Sequence, residues 1–529
     1  MRKLYELLLP VLLCLAPLTA SAQSFRVQCP TTTITHPSTL HNNDTEPAYS
    51  GPTTLSAASA STYQAPTANV NGAIKCQQIS GGDGYATMGD GTQTYMFSFG
   101  PLSGIANVAA GGPGTVNPTT FNTTYTGPAL QPGDPATTDD PLGNYSYNLN
   151  LFNYNGAIGQ VPDLDNGNVI NGHVDPRQML DVGVMNGNIP APLIAIDEDD
   201  ELFLTLSNVG MIMRPDLFEQ HTVHFHGYPN ASAFYDGVPD ASVAINIGAS
   251  FTYYYLAPDA GTYFWHCHIT PPEHLQMGMV GQLYVRPRQD RVPSTTALYT
   301  ALQAQQTDLR TACPLGTDTV HSDILCSNPL PAVNTGAVGG GKYAYNDGDG
   351  STAYDVEYPL QIHGFDPNFH FVGMTFNPEG FADMKDKYFL LNGRSYPDTT
   401  TAGPLETQSA DGKYHFSQPL PAVINIPAGK KALLRISDLD VSEYQTLASL
   451  GIPMKVIALN AKLLRDQAGN NLYYNTNSIT LGGGESLDVI LDATSNTAGQ
   501  VFYLYTPNLD HLSNDAENFG GLMTEVRIN

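Results

Sequence analysis

The stretch GTYFWHCHITPPEHLQMGM, at residues 261–279, runs from aromatic and β-branched residues directly into a series of metal-ligating side chains. A second dense run, HTVHFHG, occupies residues 221–227, and the two segments together hold six of the fourteen histidines. Aromatic and β-branched residues favour strands. We therefore expect two neighbouring strands that carry a metal site.

Short β-rich runs separated by Gly, Pro and Asp turns continue on both sides of these segments. Seven or more of them lie between residues 146 and 288, which predicts a β-sandwich or barrel. A second set of strands, beginning near KYFLLNG at 387–393, predicts another sandwich over 356–529, with 289–355 as a loop-rich linker. Residues 23–145 are rich in Thr, Ser and Gly and are expected to form an irregular, partly ordered N-terminal extension with a few strands.

The N-terminus MRKLYELLLPVLLCLAPLTASAQ has two basic residues, an apolar run and an A-x-A-like site, so residues 1–22 are predicted to be a secretory signal peptide. No later segment is apolar for long enough to span a membrane. The mature protein is thus expected to be exported, to the periplasm or the extracellular space. The net charge of -27 argues against nucleic acid as a partner.

Five of the six cysteines lie beyond the expected signal peptide. In an oxidising compartment, Cys29 with Cys76 and Cys313 with Cys326 are plausible disulfides. Cys267 is then left unpaired, which makes it a candidate for a reactive or metal-bound role.

Alternation along a strand gives the two histidine runs a definite geometry. Side chains at i and i+2 share a face, so His224 and His226 point the same way, as do His266 and His268. Cys267 then points to the opposite face. The two pairs are expected to offer four imidazoles to one site, while Cys267 serves another.

A thiolate, two imidazoles and a weak thioether form the ligand set of a blue copper centre. His221, Cys267, His274 and Met279 supply such a set here, and Met277 is a weaker choice for the axial position. Zinc is the next choice of metal, but structural zinc sites commonly use paired cysteines and have no use for methionine. The sequence therefore favours copper.

These motifs resemble those of the multicopper oxidases, a family that includes laccases and metal-ion oxidases. The resemblance rests on NGNIPAPLIAIDEDDELFLTLSN at 186–208, HFHG at 224–227, DGVP at 236–239, GTYFWHCH at 261–268 and the tail that follows. More weakly, FLLNGR at 389–394 and INIPAGKKALLRIS at 424–437 resemble the framework of a copper-free domain of this family. The implied fold is all-β, with two cupredoxin-like Greek-key β-sandwich domains after the N-terminal extension.

The resemblance also implies roles for individual residues. His221, Cys267, His274 and Met279 would bind the blue (type 1) copper, whereas a cluster of type 2 and type 3 coppers would be bound by His224, His226, His266 and His268. Asp236 matches an acidic residue that the family places near this cluster for proton delivery, although a turn before Gly237 explains it equally well. Five residues separate His268 from His274, a longer loop than in the family motif, which suggests an altered copper environment.

The chain departs from the family in its number of paired histidines. The three-copper cluster of the family takes eight histidines from two domains, whereas this chain has four in recognisable pairs. The others occur singly: His36, His41, His173, His321, His363, His370, His415 and His511. Of these, His511 lies where the second sandwich would carry a metal loop, and we interpret it as a relic.

Three functions remain open from the sequence. In the first, two copies of the chain form a homo-oligomer and complete the cluster, giving an oxidase that takes electrons from a phenol, a metal ion or a protein donor and reduces dioxygen to water. In the second, the protein is a blue copper electron carrier or copper-binding protein without a complete cluster. The third is a copper nitrite-reductase-like enzyme, for which His511 is the only placed candidate for the additional ligand.

Overall fold

The computed structural model describes residues 32–37, 48–56, 66–101, 185, 187–211, 213–214, 219–227, 233–257, 259–306, 329–372, 380–408 and 414–529. Residues 146–184 of the expected first sandwich, and Cys29, Cys313 and Cys326 of the expected disulfides, lie outside these residues. None of the helices in the described ranges is long and apolar enough to cross a membrane.

The first β-sandwich is built from strands that begin well before residue 146. The strands of this part are β1 (Thr54–Leu55), β2 (Pro66–Ala68), β3 (Ile74–Thr87), β4 (Gln93–Pro101), β5 (Ile194–Asp197), β6 (Glu201–Gly210), β7 (His224–His226), β8 (Ser250–Leu256), β9 (Gly261–His266) and β10 (Val280–Arg286). One sheet has the order β4-β3-β6-β8, and the other has the order β5-β10-β9-β7. Helix α1 (Pro271–Gln276) lies in the loop between β9 and β10.

Strands β3 and β4 are part of the first sandwich, whereas residues 23–145 were expected to form an irregular extension with a few strands. β3 pairs in parallel with β6 from Ile74 to Gly82 and antiparallel with β4 from Ile79 to Thr87, although it contains the sequence GGDG at 81–84. Gly81 is required there because a Cβ atom would lie 2.7 Å from Cδ2 of His221. A glycine-rich strand thus results from close tertiary packing, which composition does not reveal.

A connecting region separates the two sandwiches. It contains a short 3₁₀ helix (Arg288–Arg291), helix α2 (Leu298–Gln305) and the strand pair β11 (Lys342–Tyr343) and β12 (Ala353–Tyr354). Part of the segment expected to be a linker is therefore folded. Arg288 fastens it to the first sandwich by donating two hydrogen bonds of 2.7 Å to the carboxylate of Asp199.

The second sandwich occupies the remainder of the chain. Its strands are β13 (Val356–Phe365), β14 (Tyr388–Leu391), β15 (Leu405–Gln408), β16 (Tyr414–Gln418), β17 (Ile424–Ile426), β18 (Lys431–Asp438), β19 (Gln445–Leu450), β20 (Met454–Leu459), β21 (Lys462–Leu463), β22 (Tyr474–Thr476), β23 (Ser478–Leu481), β24 (Glu485–Asp492), β25 (Val501–Tyr505) and β26 (Met523–Ile528). The sheets have the orders β14-β13-β18-β24-β20-β21, with β22 also on β20, and β17-β26-β25-β19-β23. Its helices are α3 (Pro367–Val372) and 3₁₀ turns at Phe381–Asp383, Asp398–Thr400 and Leu509–His511.

Each sandwich encloses its own hydrophobic core. The first contains the fully buried Leu204, Tyr253 and Trp265 among others, and the second contains Leu434 and Val489. Alternating burial of apolar side chains between two sheets is what stabilises this architecture. The expected all-β fold with two sandwiches is thus confirmed for the described residues.

Candidate metal centre

Three metal-ligating side chains converge inside the first sandwich. His221, Cys267 and His274 offer ligand atoms that all lie within 4.8 Å of one another, and all three are buried. Nδ1 of His274 lies 3.2 Å from Sγ of Cys267. The sequence analysis predicted these three residues as ligands of one site, and the structure brings them together.

The backbone around this group is fixed by hydrogen bonds. His221 exchanges two of them with Ile245, of 3.1 and 2.9 Å. The amide of Cys267 donates to the carbonyl of Met279 over 3.2 Å, and the amide of Met279 donates to the carbonyl of His274 over 2.9 Å. The loop between β9 and β10 therefore closes on itself, with its ligand residues held at the end of the sheet.

Several ring nitrogens of this group have no hydrogen-bond partner among the described residues. Both ring nitrogens of His221 and Nε2 of His274 are buried and have no hydrogen-bond partner in the described part of the chain. Buried polar atoms without partners are rare and costly in folded proteins. A cation bound by one ring nitrogen of His221, by Nδ1 of His274 and by the Cys267 thiolate fits this group.

The electrostatics of the group favour the thiolate. Burial raises the pKa of Cys267, but His274 and His221 outweigh it and hold this pKa well below its usual value. Burial likewise lowers the pKa of His274, whereas the Cys267 thiolate and Glu219 raise it to about 9. A thiolate is the form of cysteine that binds metal.

Met279 lies beside the group and Met277 is part of the adjoining core. A Cβ atom at Gly81 would contact both His221, at 2.7 Å, and the methyl carbon of Met279, at 3.5 Å. Met277 and Met279 are each almost completely buried. The position of Met279 next to His221 is consistent with the axial role expected for it.

The four paired histidines form a second group, on the other side of Cys267. The ring centroid of His224 lies 5.2 Å from that of His266 and 5.0 Å from that of His268, while His226 and His266 are 6.1 Å apart. His266 and His268 are stacked at 5.6 Å. Strand pairing produces this cluster, because His224 lies opposite His266 across β7 and β9.

Backbone carbonyls determine which ring nitrogens of this cluster are available. Nδ1 of His224 lies 2.6 Å from the carbonyl oxygen of Asp236, and Nδ1 of His266 lies 2.8 Å from that of Cys267. Donation from Nδ1 leaves Nε2 with a free lone pair, as a metal ligand requires. Burial lowers the pKa of His266 to about 3, so its imidazole is neutral.

Asp236 lies in a turn and also faces the histidine cluster. It precedes Gly237, whose φ of +79° and lack of a Cβ atom allow the chain to pass close to Val223. Its Oδ1 atom also lies 3.6 Å from Nδ1 of His224, and its side chain is 31% exposed. A turn residue thus reaches both the histidine cluster and solvent.

A cavity of about 680 Å³ separates this cluster from the second sandwich. On one wall are His226 and His266, and the opposite wall includes the carboxylates Asp440, Glu443 and Glu485. Among the residues that line it, the second sandwich contributes no imidazole. The facing wall is therefore acidic, with glycines at 482–484.

The single histidines of the second sandwich serve packing. His511 is buried, stacks on Phe389 at 3.8 Å and hydrogen-bonds through Nδ1 to Oε1 of Gln445 at 2.9 Å. His363 and His370 are likewise buried, rather than lying at the surface. His41, His173 and His321, and the side chain of His415, lie outside the described residues.

Two residues near the ligands were missed by the sequence analysis. Oε2 of Glu219 lies 3.7 Å from Nε2 of His274, and Gln276 in α1 hydrogen-bonds to the second sandwich. The position of Glu219 two residues before His221 was a usable signal, because a carboxylate that close to a ligand lies at the same strand end. Nothing in the sequence distinguishes Gln276 from an exposed helix residue.

The geometry can be compared with known proteins. Residues 168–290 match the family model of multicopper oxidase. Laccase-1 of Emericella nidulans is 36% identical over 121 residues, which are 22% of this chain and 17% of that protein. The multicopper oxidase MCE of Talaromyces pinophilus is 33% identical over 112 residues, 21% of this chain and 17% of that protein. The chain thus matches less than a fifth of the length of these relatives.

Solved structures of the same kind also resemble the chain. The blue copper oxidase from Nitrosomonas europaea aligns with a TM-score of 0.42 and 22% identity, over 65% of this chain and 78% of that one. The multicopper oxidase mgLAC aligns with a TM-score of 0.47 and 15% identity, over 86% of each chain.

The sandwich with a cysteine between two histidines defines a copper-binding β-sandwich protein. Residues 168–290 belong to the multicopper oxidase family. The family expected from the motifs is thus confirmed for this part of the chain, and with it copper as the cofactor.

Proposed function

We propose that the chain is a copper-dependent oxidoreductase that accepts single electrons at a type 1 copper bound by His221, Cys267, His274 and Met279. The observation that carries this proposal is the buried group of two imidazoles and one thiolate, with ligand atoms within 4.8 Å of one another. Copper in such a site supplies one-electron transfer. The protein's own contribution is to orient the ligands and to exclude water from the thiolate.

Electrons reach this site at the edge of His274. Its ring is fully buried, but Nε2 is directed at Glu219, whose side chain is 25% exposed. A reducing substrate bound at Glu219 is therefore separated from a ligand ring by one side chain. A phenol that donates a hydrogen bond, a metal cation or a protein donor can each use this carboxylate.

Cys267 joins the two groups of ligands through covalent bonds. His266 and His268 are its immediate neighbours in the chain, and both belong to the four-histidine cluster. We propose that this cluster holds half of the ligands of a three-copper site that reduces dioxygen to water. The other half comes from a second copy of the chain, since His226 is exposed and His224 and His268 are only partly buried. Asp236 is suited to passing protons from solvent toward the cluster, because its carboxylate lies beside His224 and is 31% exposed.

One observation favours a second candidate, a blue copper electron carrier without a complete cluster. The wall that faces His226 and His266 within the chain offers carboxylates and no imidazole. A nitrite-reductase-like enzyme is less well supported, because the ligand it needs, His511, is buried against Phe389 inside its own sandwich.

Spin-counted electron paramagnetic resonance of the oxidised, copper-loaded protein, compared with total copper, tests these proposals. The oxidase predicts a narrow-hyperfine blue signal, a normal copper signal and additional copper that is spin-silent. It also predicts that His266→Ala abolishes dioxygen uptake while the blue signal remains. A carrier shows one copper per chain, all of it in the blue signal. Absence of any blue signal would contradict both.

A further inference from the structure

The helix in the copper loop is attached to the second sandwich through one residue. Gln276, fully buried at the end of α1, donates from Nε2 to Oδ1 of Asp386 over 2.9 Å. Its Oε1 accepts from the amide of Asp366 over 3.1 Å. Nε2 of His370 lies 2.9 Å from the backbone carbonyl oxygen of Gln276. Three contacts from the second sandwich thus converge on a residue that lies between His274 and Met279.

The partners of Gln276 are themselves fixed. Asp366 accepts from the amide of Lys385 over 2.7 Å, and Asp386 accepts from the hydroxyl of Ser442. The ring of His370 stacks on Phe365 with a centroid distance of 3.7 Å. An amide held between anchored groups has little freedom to shift.

The position of Gln276 bears directly on the ligands. It lies two residues after His274 and three before Met279, in the loop that the amide of Met279 closes onto the carbonyl of His274. The first sandwich holds the same loop from the other side, since Ser98 Oγ donates to the carbonyl of Gly278 over 2.5 Å. Residues that orient metal ligands without touching the metal commonly alter its affinity and potential.

We infer that Gln276 is a positioning residue through which the copper-free second sandwich sets the geometry, and with it the reduction potential, of the type 1 copper site. This inference rests on the proposed function. It assigns the second sandwich a role in electron transfer that requires no ligand from it, and it connects the long loop after His268 with the residues that hold this loop.

Gln276→Met tests the inference because methionine retains the side-chain volume and removes both amide hydrogen bonds. Gln282→Met is the matched control. Gln282 is equally buried and also donates to the second sandwich, to the carbonyl of Arg435 over 2.9 Å and to the hydroxyl of Ser437 over 3.1 Å, but it lies in β10 outside the copper loop. Both variants lose hydrogen bonds between the sandwiches, and only one of them loosens the loop.

Gln276→Met is expected to lower the potential, because a looser loop admits water near the thiolate and water favours the more highly charged, oxidised site. We expect about a tenfold change in the equilibrium between oxidised and reduced protein, or about 59 mV for one electron. The copper hyperfine splitting should change with it. In the metal-free protein, the amides of residues 273–279 should exchange hydrogen faster in Gln276→Met than in Gln282→Met.

Equal potentials in the two variants and the parent protein would overturn the inference, as would equal shifts in both variants. If Gln276→Met does not fold, Asp386→Leu and Asp386→Asn replace it. The first removes the acceptor of Gln276 and should shift the potential, whereas the second keeps an oxygen acceptor and should restore the parent value. A parent protein that binds copper without a blue band would instead contradict the proposed function.

Discussion

The two sandwiches have the same strand pairing, and one of them lacks a metal-ligand set. The order β5-β10-β9-β7 in the first corresponds to β17-β26-β25-β19 in the second, and both begin with a parallel pair. His266, the last residue of β9, lies opposite His224, as Tyr505, the last residue of β25, lies opposite Ala448. Cys267 therefore corresponds to Thr506.

The remaining ligand positions follow from the same register. Met279 precedes β10 and corresponds to Leu522, which precedes β26. The amide of Thr506 donates to the carbonyl of Leu522 over 2.9 Å, as Cys267 does to Met279. His221 lies three residues before His224, and Gln445 lies three residues before Ala448, so His221 corresponds to Gln445. The second sandwich thus keeps the backbone of the site and replaces three ligands.

The fourth ligand position is preserved with its neighbour. His511 lies in the loop between β25 and β26, and its Nε2 lies 3.2 Å from Oε2 of Glu443. Nε2 of His274 lies 3.7 Å from Oε2 of Glu219, which stands two residues before His221 as Glu443 stands two before Gln445. This match supports the interpretation of His511 as a relic. The comparison teaches that the two sandwiches share a fold, and that side chains at a few positions decide whether the loop can bind copper.

The largest expected effect comes from the position that differs most between the sandwiches. Cys267→Ser should remove the blue absorption and the narrow-hyperfine signal completely, because a hydroxyl cannot replace the thiolate. Thr506→Ser, the equivalent change in the second sandwich, should leave both signals unchanged. Absorption and paramagnetic resonance spectra of the copper-loaded variants check this, and a blue band surviving in Cys267→Ser would refute the ligand assignment.

The reverse substitutions should create a type 1 copper site in the second sandwich. In a Cys267→Ser background, Gln445→His, Thr506→Cys and Leu522→Met together with the native His511 recreate the full ligand set. We expect copper bound per chain to rise by about one and a blue band to reappear, because the backbone is already in place. Thr506→Cys alone is the control and should give no blue band. Failure of the full set to bind copper would show that the loop, not only its side chains, has diverged.

Glu219 and Glu443 occupy equivalent positions in the two sandwiches, but only Glu219 should affect turnover. Glu219→Gln is expected to lower kcat/KM for a cationic reductant about tenfold, or about 1.4 kcal/mol of transition-state stabilisation, because it removes the charge beside His274. Glu443→Gln changes the equivalent pair of the second sandwich and should leave kcat/KM unchanged. Steady-state kinetics with Fe(II) checks both, and equal losses would show that Glu219 acts through general surface charge.

The prediction with the smallest effect on the copper site concerns the stability contributed by a buried carboxyl of the second sandwich. Burial and the neighbouring Asp440 raise the pKa of Asp386 to about 8. A folded-state pKa above the ordinary carboxyl value means that this group stabilises the fold fully at acidic pH and loses that contribution as the pH rises to about 8. Relative to the parent protein, Asp386→Asn should therefore gain about 3 to 4 kcal/mol in free energy of unfolding between pH 5 and pH 8.

Denaturant unfolding at several pH values measures this gain. Asp492→Asn provides the control, because its side chain is 49% exposed and its pKa is lowered from the ordinary carboxyl value. Its effect on stability should stay constant from pH 5 to pH 8. A constant effect of Asp386→Asn over the same range would contradict the raised pKa.

Strand periodicity and ligand spacing were enough to predict the sandwiches and the convergence of the metal-ligating residues. The i, i+2 rule placed His224 and His226 on one side of the sheet and Cys267 on the other, because alternation is a local property of any strand. Contributions from distant parts of the chain could not be predicted in this way. β3 was missed because its glycines are explained by close contacts with distant residues, as of Gly81 with His221 and of Gly84 with Gly187.

Residues that act through the other sandwich were also invisible in the sequence. Gln276 belongs to a helix of only six residues, and its partners Asp366 and Asp386 lie about a hundred positions further on. His363 and His370 occur singly in the sequence, and only the structure shows that both are buried. Contacts across an interface between sandwiches leave no periodic signal in either segment.

The closed loop over the metal ligands has a kinetic consequence. His221, Cys267 and His274 are completely buried. A backbone hydrogen bond from Cys267 to Met279 holds the loop closed over them. Metal can then arrive or leave only when the loop opens, which makes the rate of loading a measure of local unfolding. Copper acquired in this way should exchange slowly with chelators. The ion that is bound first would be retained for as long as the loop stays closed.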